Sequence, residues 1–244
     1  MAQKWNAFVK AFVVNEGYRN VLDGLKNTVY IALFGFLIGI CIGSVIAIIK
    51  VSKNRNTFMN VISKIGDVYV GFFRGTPIIV QLLLIYYVLF PLMGINVDKL
   101  IVAIVTFGLN SGAYVSEIMR SGILSVDNGQ LEAGRALGLS YPSAMLRIVL
   151  PQALKNSLPA LGNELIALVK DTSVAGFIAV FDLTQAFKLI GSSSYEYMVP
   201  YIVLALFYLV IVLALTFVIK LIEKRLRKDE KQPHKSRKLN GIGA

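Results

Sequence analysis

Chemically reactive side chains are scarce in this chain: 244 residues hold one cysteine, one histidine and one tryptophan, and only 16% of the residues are charged. Cys41 lies inside an apolar run, so no disulfide can close within the chain and the residue reads as a small hydrophobe. His234 stands alone in a charged tail, which excludes a His/Cys metal site and a bis-histidine haem. No Gly-Lys pair occurs, so the phosphate loop G-x-x-x-x-G-K-[S/T] is missing. Neither a G-x-S-x-G elbow nor an H-E-x-x-H pair is present. Enzymatic activity of the chain's own is therefore not expected, and no cofactor or metal is predicted in it.

What is abundant is apolar: 56% of the residues are hydrophobic, and the mean hydropathy is +0.66. Both values lie outside the range of ordinary soluble domains and predict an all-α integral membrane protein. The net charge of +11 does not point to nucleic acid, because Lys and Arg flank apolar runs and fill the tail, where anionic lipid headgroups attract them.

Hydropathy predicts about five crossings. Thr28 to Ile49 carries no charge and is long enough, at about 1.5 Å per residue, for about 30 Å of hydrocarbon. Pro77 to Met93 is preceded by the more polar stretch Ile62 to Phe73, and the two read as one interrupted crossing. Leu100 to Val115 makes a third, Gln152 to Val180 contains a polar fourth, and Val199 to Ile222 is a strongly apolar fifth. The first connection holds Lys50, Lys53, Arg55 and Lys64. The tail holds Lys220, Lys224, Arg225, Arg227, Lys228, Lys231, Lys235, Arg237 and Lys238. The positive-inside rule puts both in the cytoplasm, together with the stretch from Arg120 to Lys155. The loops Leu92 to Lys99 and Asp182 to Met198 fall on the opposite side. That topology predicts a multi-pass protein of a bacterial cell membrane, N-terminus outside and C-terminus cytoplasmic.

Three segments follow from this pattern. Residues 1–26 place Trp5, Phe8, Val9, Phe12 and Val13 at helical spacing and predict an interfacial amphipathic helix. A cleaved leader fits them poorly, because Lys10 interrupts a short apolar run. Residues 27–225 form the transmembrane part, and 226–244 a charged cytoplasmic tail.

Residues 125–151, SVDNGQLEAGRALGLSYPSAMLRIVLP, are a polar interruption between two apolar spans. Asp127 and Asn128 can cap a helix with its body at Gln130 to Leu137, and Gly138 can end it in a left-handed conformation. Ser140 can cap a second short helix with Pro142 in its first turn, and Pro151 is expected to break the chain before the next element. Two short helices joined by a glycine turn make a rigid elbow. Its first helix exposes Glu132 and Arg135 beside Leu131, Ala133, Ala136 and Leu137. Such a knob suits a groove on a partner; an amphipathic loop resting on the membrane surface is the alternative.

These residues resemble the inner-membrane permease subunits of ATP-binding-cassette importers, which carry EAA, three residues, G, nine residues, I, one residue, LP. Glu132, Ala133, Gly138, Ile148, Leu150 and Pro151 fall at those positions, and Gly134 replaces the third-position alanine, a change expected to loosen the first helix. The resemblance assigns Glu132, Ala133, Gly134, Arg135 and Gly138 to coupling with a cytoplasmic ATPase. Arg74-Gly75-Thr76-Pro77 with Gln81, Ala113-Tyr114-Val115-Ser116-Glu117-Ile118, and Lys170-Asp171-Thr172-Ser173 are similar to the polar-amino-acid uptake branch. Together the matches cover roughly residues 20–225. The resemblance implies a type I importer permease fold, two copies of an ATPase that holds ATP and Mg, a second permease chain, identical or paralogous, and an extracytoplasmic solute-binding protein.

Polar groups retained in spans cost about 2.5 to 3.5 kcal/mol each on insertion scales, so they face a cavity or a partner. Asn110, Asn163, Glu164, Lys170 and Asp171 are the candidates, with Arg74, Gly75 and Thr76 at the break. Thr76 as cap and Pro77 at the first helical position would leave N–H groups free for an α-carboxylate, and Glu164 or Asp171 would meet the ammonium group. Alternatives stay open. Lys170 and Asp171 can mark a helix end, and Arg74 can pair with Asp67 or with a lipid phosphate. The expected function is the translocation pathway of an ATP-driven importer for a polar amino acid, the acidic candidates leaning toward a basic one. An ion-coupled carrier using Glu164 and Asp171 is the alternative.

Overall fold

The computed structural model describes residues 2–52 and 57–228, with side chains through Leu226. Lys53, Arg55, Lys231, His234, Lys235, Arg237 and Lys238 lie outside the described residues. In chain order, α1 (Ala2–Val9) runs into a π turn (Lys10–Val14) before α2 (Gly17–Val51) and α3 (Thr57–Gly75). Next, α4 (Ile78–Leu84) continues through a second π turn (Ile85–Leu89) into α5 (Phe90–Leu92), and α6 (Lys99–Leu124) follows. After the short helices α7 (Asn128–Ala136) and α8 (Tyr141–Ala144), a third π turn (Met145–Val149) leads into α9 (Leu150–Asp171). A 3₁₀ segment (Thr172–Ile178), α10 (Leu183–Ser194) and α11 (Met198–Lys228) complete the order, with no strand among the described residues.

Three described helices, α2, α6 and α11, are long and apolar enough to cross a membrane, and α3 with α4–α5 forms a further pair bent by 111°. The sequence predicts five crossings. The difference lies in α9, which spans 22 residues but carries a polar stripe that lowers its hydropathy. The helix boundaries also shift. α2 begins at Gly17, so residues 17–26 belong to the same helix as the first span, and the amphipathic segment ends at the turn before it.

The core is the packing of α2 on α6. Gly35, Gly39 and Gly43 lie one turn apart on α2, and each meets α6 directly. A Cβ on Gly39 would lie 2.7 Å from Ser111 Cβ, and one on Gly43 2.7 Å from the Ser116 amide nitrogen. Ile31, Phe107, Val115 and Met119 are fully buried around this seam. Without a hydrophobic driving force between helices in lipid, close backbone approach of this kind supplies the dispersion contacts that hold them.

α10 lies where the sequence predicts an external loop. Its Leu183, Ala186, Phe187 and Ile190 are at most 2% exposed and pack with Phe8 of α1 and Phe207 of α11. Asp182 starts the helix, its carboxylate accepting from the Thr184 and Gln185 amides at 3.1 and 3.0 Å. Phe8 is thus buried against protein, and Lys4 Nζ reaches Glu196 Oε2 at 3.1 Å, fastening α1 beside the start of α11. The Lys4 ammonium holds the half-buried Glu196 carboxyl below its usual range.

Pro151 does not break the chain. It sits in the first turn of α9, and the π turn just before it widens the helix where the proline ring would otherwise strike the carbonyl four residues back. Pro91 follows the π turn Ile85–Leu89 at the same offset. The same arrangement thus precedes Pro91 and Pro151, and the helical run continues through each.

Candidate functional site

The elbow is built by local capping. Asp127 Oδ1 accepts from the Gly129 amide at 2.8 Å and Ser140 Oγ from the Ser143 amide at 3.4 Å. Between the two helices Gly138 has φ +87°, a conformation that costs a residue with Cβ strain and glycine none. Gly134 is buried, and a Cβ there would lie 2.6 Å from Ile148 Cδ1. Gly134 thus marks where α7 packs against the turn leading to α9. Glu132, Ala133, Arg135, Ala136 and Gly138 are exposed, and Leu137 stands out with 85% of its surface free. Behind this face Met145 and Val149 pack on Met119, Ile123 and Val126, so the elbow is seated on α6.

Beside the elbow α2, α3 and α6 are tied by charge. Lys50 Nζ bridges Asp67 Oδ1 at 2.9 Å and Glu117 Oε1 at 3.1 Å, and Arg120 Nη2 reaches Glu117 Oε2 at 3.0 Å. Asp67 is thus committed to Lys50. Arg74, expected either on Asp67 or on a lipid phosphate, instead lies over the Tyr114 ring with 5.5 Å to its centroid.

The break between α3 and α4 is held by side-chain amides. Gln81 Nε2 lies 2.9 Å from Phe73 O, from Thr76 O and from Thr76 Oγ1. Asn110 Nδ2 donates to Gln81 Oε1 at 2.9 Å. Thr76 Oγ1 donates back to Phe72 O at 2.8 Å, and Pro77 occupies the cap position of α4 with no side-chain hydrogen bond. Thr76 therefore bonds back into α3 and does not cap α4, whose first amides carry no capping side chain. Gly75 sits in open space at the break. Asn110, only 6% exposed, spends its amide on the bend. Tyr69, whose hydroxyl donates to Leu109 O, adds a second link from α3 to α6.

Gln81→Leu removes the bonds to Phe73 O and Thr76 O and from Asn110 Nδ2, leaving Phe73 O and Asn110 Nδ2 only their mutual contact at 3.4 Å, at about 1 to 3 kcal/mol for each group left unsatisfied. A lower melting temperature of the detergent-solubilised protein is expected for Gln81→Leu and for Asn110→Leu. The double variant should lose less than the sum of the two, since they share one hydrogen bond. Strict additivity would separate the two residues.

α9 carries the remaining candidates. Asn156, Ala160, Asn163 and Lys170 are exposed and Ala167 half-buried, a stripe at alternating steps of four and three. Glu164 and Asp171 flank it two turns apart. The lower end of the stripe opens on a cleft of about 360 Å³ lined by Glu117, Ser121, Asn156 and Ala160, with Asn156 Nδ2 donating to Ser125 Oγ at 2.9 Å. Higher up, half-buried Glu164 faces fully buried Ser111. Ser111 and Tyr114 are one turn apart on α6, so Glu164 and Arg74 address successive turns of one helix. Asn163 and Asp171 are exposed; Asp171 has Lys170 as one charge neighbour and Glu164 as another.

Lys50, Glu117, Ser111 and Gln81 are the residues that reading for site chemistry passes over. Intramembrane charge at Glu117 is available as a signal; the others acquire meaning only through partners distant in sequence.

Residues 28–228 match the family model described as binding-protein-dependent transport system inner membrane component. Over 210 residues the chain is 40% identical to the arginine transport system permease protein ArtQ of Bacillus subtilis, covering 86% of this chain and 94% of that one. It is 37% identical to a putative glutamine transport system permease protein GlnP of Rickettsia bellii, with 84% and 92% covered. A crystal structure of an amino acid ABC transporter with histidines superposes with a TM-score of 0.76 at 36% identity, over 88% of this chain and 97% of that one. A structure of the MetNI methionine ABC transporter shares the fold at 22% identity, with a TM-score of 0.63 over 87% and 94%.

Proposed function

Because the chain belongs to the binding-protein-dependent transport system inner membrane components, we propose that its exposed polar face forms half of a pathway for a polar, preferentially basic, amino acid. The protein is a permease subunit of an ATP-driven ABC importer, an all-α multi-pass protein of the inner membrane with the type I permease fold. Permeases of this family work with an ATPase, a binding protein and a partner permease. In this reading ATP and Mg are held by two copies of the ATPase, and the second permease is an identical or paralogous chain. α9 serves as a fifth crossing, α1 lies on the external side and the elbow on the cytoplasmic side.

The observation that carries the reading is the pairing of a rigid exposed elbow with a polar stripe on the helix that follows it. α8 passes into α9 through an unbroken helical run. Glu132, Ala133, Gly134 and Arg135 lie on α7, with Gly138 at its end, and force applied there reaches this run through the packing of Gly134 on Ile148; the run then carries it to Asn163, Glu164 and Asp171. Glu164 supports a basic cargo, being a half-buried carboxylate beside the polar stripe of α9. Arg74, Gly75 and Thr76 line the same face at the break. An ion-coupled carrier would leave the elbow without a role, and no observation favours it.

Uptake by the complete assembly in proteoliposomes should need ATP on the ATPase side and survive an ionophore. Collapse with the ionophore would overturn the reading. Glu164→Gln is expected to raise KM for a cationic amino acid about tenfold, the loss of one charge-assisted contact, and to spare a neutral one. Equal KM values for both cargoes, before and after the change, would remove Glu164 from the pathway.

A further inference from the structure

A groove on the back of α9 has no part in the transport reading. It encloses about 520 Å³ between α2, α9 and α11, lined by Phe36, Leu154, Leu158, Leu165, Ile219 and Leu226 among others. At about 100° per residue, Leu154, Leu158 and Leu165 project from the side of α9 opposite Asn156 and Asn163. A partner permease seated on the polar stripe therefore leaves the groove facing lipid. α9 and α11 touch tightly at one point, where a Cβ on Gly162 would lie 2.5 Å from Ile219 Cγ2. From that point the groove runs toward the ends of the helices nearest the elbow.

Its lining contains a single charged side chain, Lys155, in the second turn of α9. Lys155 is half-buried, and no acidic side chain among the described residues pairs with it. An apolar furrow with one ammonium at its elbow end, unpaired among the described residues, has the polarity of a phospholipid turned headgroup-down. We propose that the groove binds an anionic phospholipid, an acyl chain lying against Leu154, Leu158 and Ile222 and the phosphate resting on Lys155. This rests on the cytoplasmic placement of the elbow, because Lys155 then sits at the depth of the inner-leaflet headgroups, where basic side chains attract anionic lipid. A zwitterionic lipid fills the same furrow but gains less from the ammonium, so the groove discriminates by headgroup.

The test uses the complete transporter in bilayers containing phosphatidylglycerol or phosphatidylcholine at equal mole fraction, each with a photoactivatable diazirine on one acyl chain. Crosslinks are mapped by peptide mass spectrometry. Labelling of the peptides spanning 154–165 and 219–226 should favour phosphatidylglycerol about fivefold, the preference expected from one lysine near the surface. Leu206, Leu209 and Leu213, exposed on α11, should be labelled alike by both lipids. Lys155→Gln should bring the groove peptides down to that common level, and Lys155→Arg should keep the preference, which separates loss of charge from loss of fold. Equal labelling by the two lipids in the parent protein would overturn the proposal. No labelling of the groove by either would show it covered by protein and overturn it equally. Neither readout involves transport, so a failure here leaves ATP-driven uptake standing as a separate question.

Discussion

Glu132→Lys and Gly138→Pro should each reduce ATP-driven uptake to less than about a tenth of the parent rate, a loss of at least about 1.4 kcal/mol in coupling, while the chain still inserts and its partner still hydrolyses ATP. Gly138 holds φ at +87° and donates its N–H to Arg135 O at 3.0 Å. Proline fixes φ near about −65° and removes that donor, so α8 cannot leave α7 at the present angle. Glu132→Lys keeps the elbow's shape, since Glu132 is exposed on α7, but reverses the charge on the face offered to a partner. One variant alters geometry and the other electrostatics, yet both act on one surface. Proteoliposomes assayed for hydrolysis and uptake together separate the outcomes. Parent stoichiometry in both variants would remove the elbow from coupling.

The elbow is legible in the sequence because its determinants are local. Asp127, Gly138 and Ser140 cap or terminate within three residues of themselves, and such signals need no tertiary partner. The break at Pro77 is legible for the same reason, but its chemistry is not. Gln81 reaches back across the break and Asn110 arrives from 29 residues further along, so Thr76 reads as a cap that the amide network makes unnecessary. Lys50 reads as one more inside cation until α3 and α6 bring Asp67 and Glu117 to it. α10 reads as loop because Leu183, Ala186, Phe187 and Ile190 form a short stripe beside serines, and its helix is stabilised by burial against α1 and α11. Pro151 reads as a stop because a π turn, which relieves the proline clash, has no simple sequence signal. In each case local chemistry survives folding, and what escapes the sequence depends on a contact made later.

The seam between α2 and α6 is where a few added carbon atoms should matter most. Hydropathy registers α2 as an apolar span and averages over its faces, so the spacing of Gly35, Gly39 and Gly43 contributes little to that reading. In the folded chain this spacing is the contact surface. A Cβ at Gly43 would lie 2.7 Å from the Ser116 amide nitrogen and 2.7 Å from Val115 Cβ, and backbone cannot rotate away as the end of a side chain can. Gly43→Leu must push α2 off α6, a strain of about 3 kcal/mol before the lost contacts are counted. Separation there also moves Lys50, two turns later on α2, away from Asp67 and Glu117. The variant should therefore yield little monodisperse protein in detergent and melt well below the parent, with Gly43→Ala falling between. On α3, a Cβ added at Gly71 would have nothing within 4 Å of it, so Gly71→Ala should leave the melting temperature unchanged or slightly raised, as expected for a helix former replacing glycine. Parent-like melting of Gly43→Leu would mean that α2 is held by its large side chains, and that the glycine stripe is a passenger.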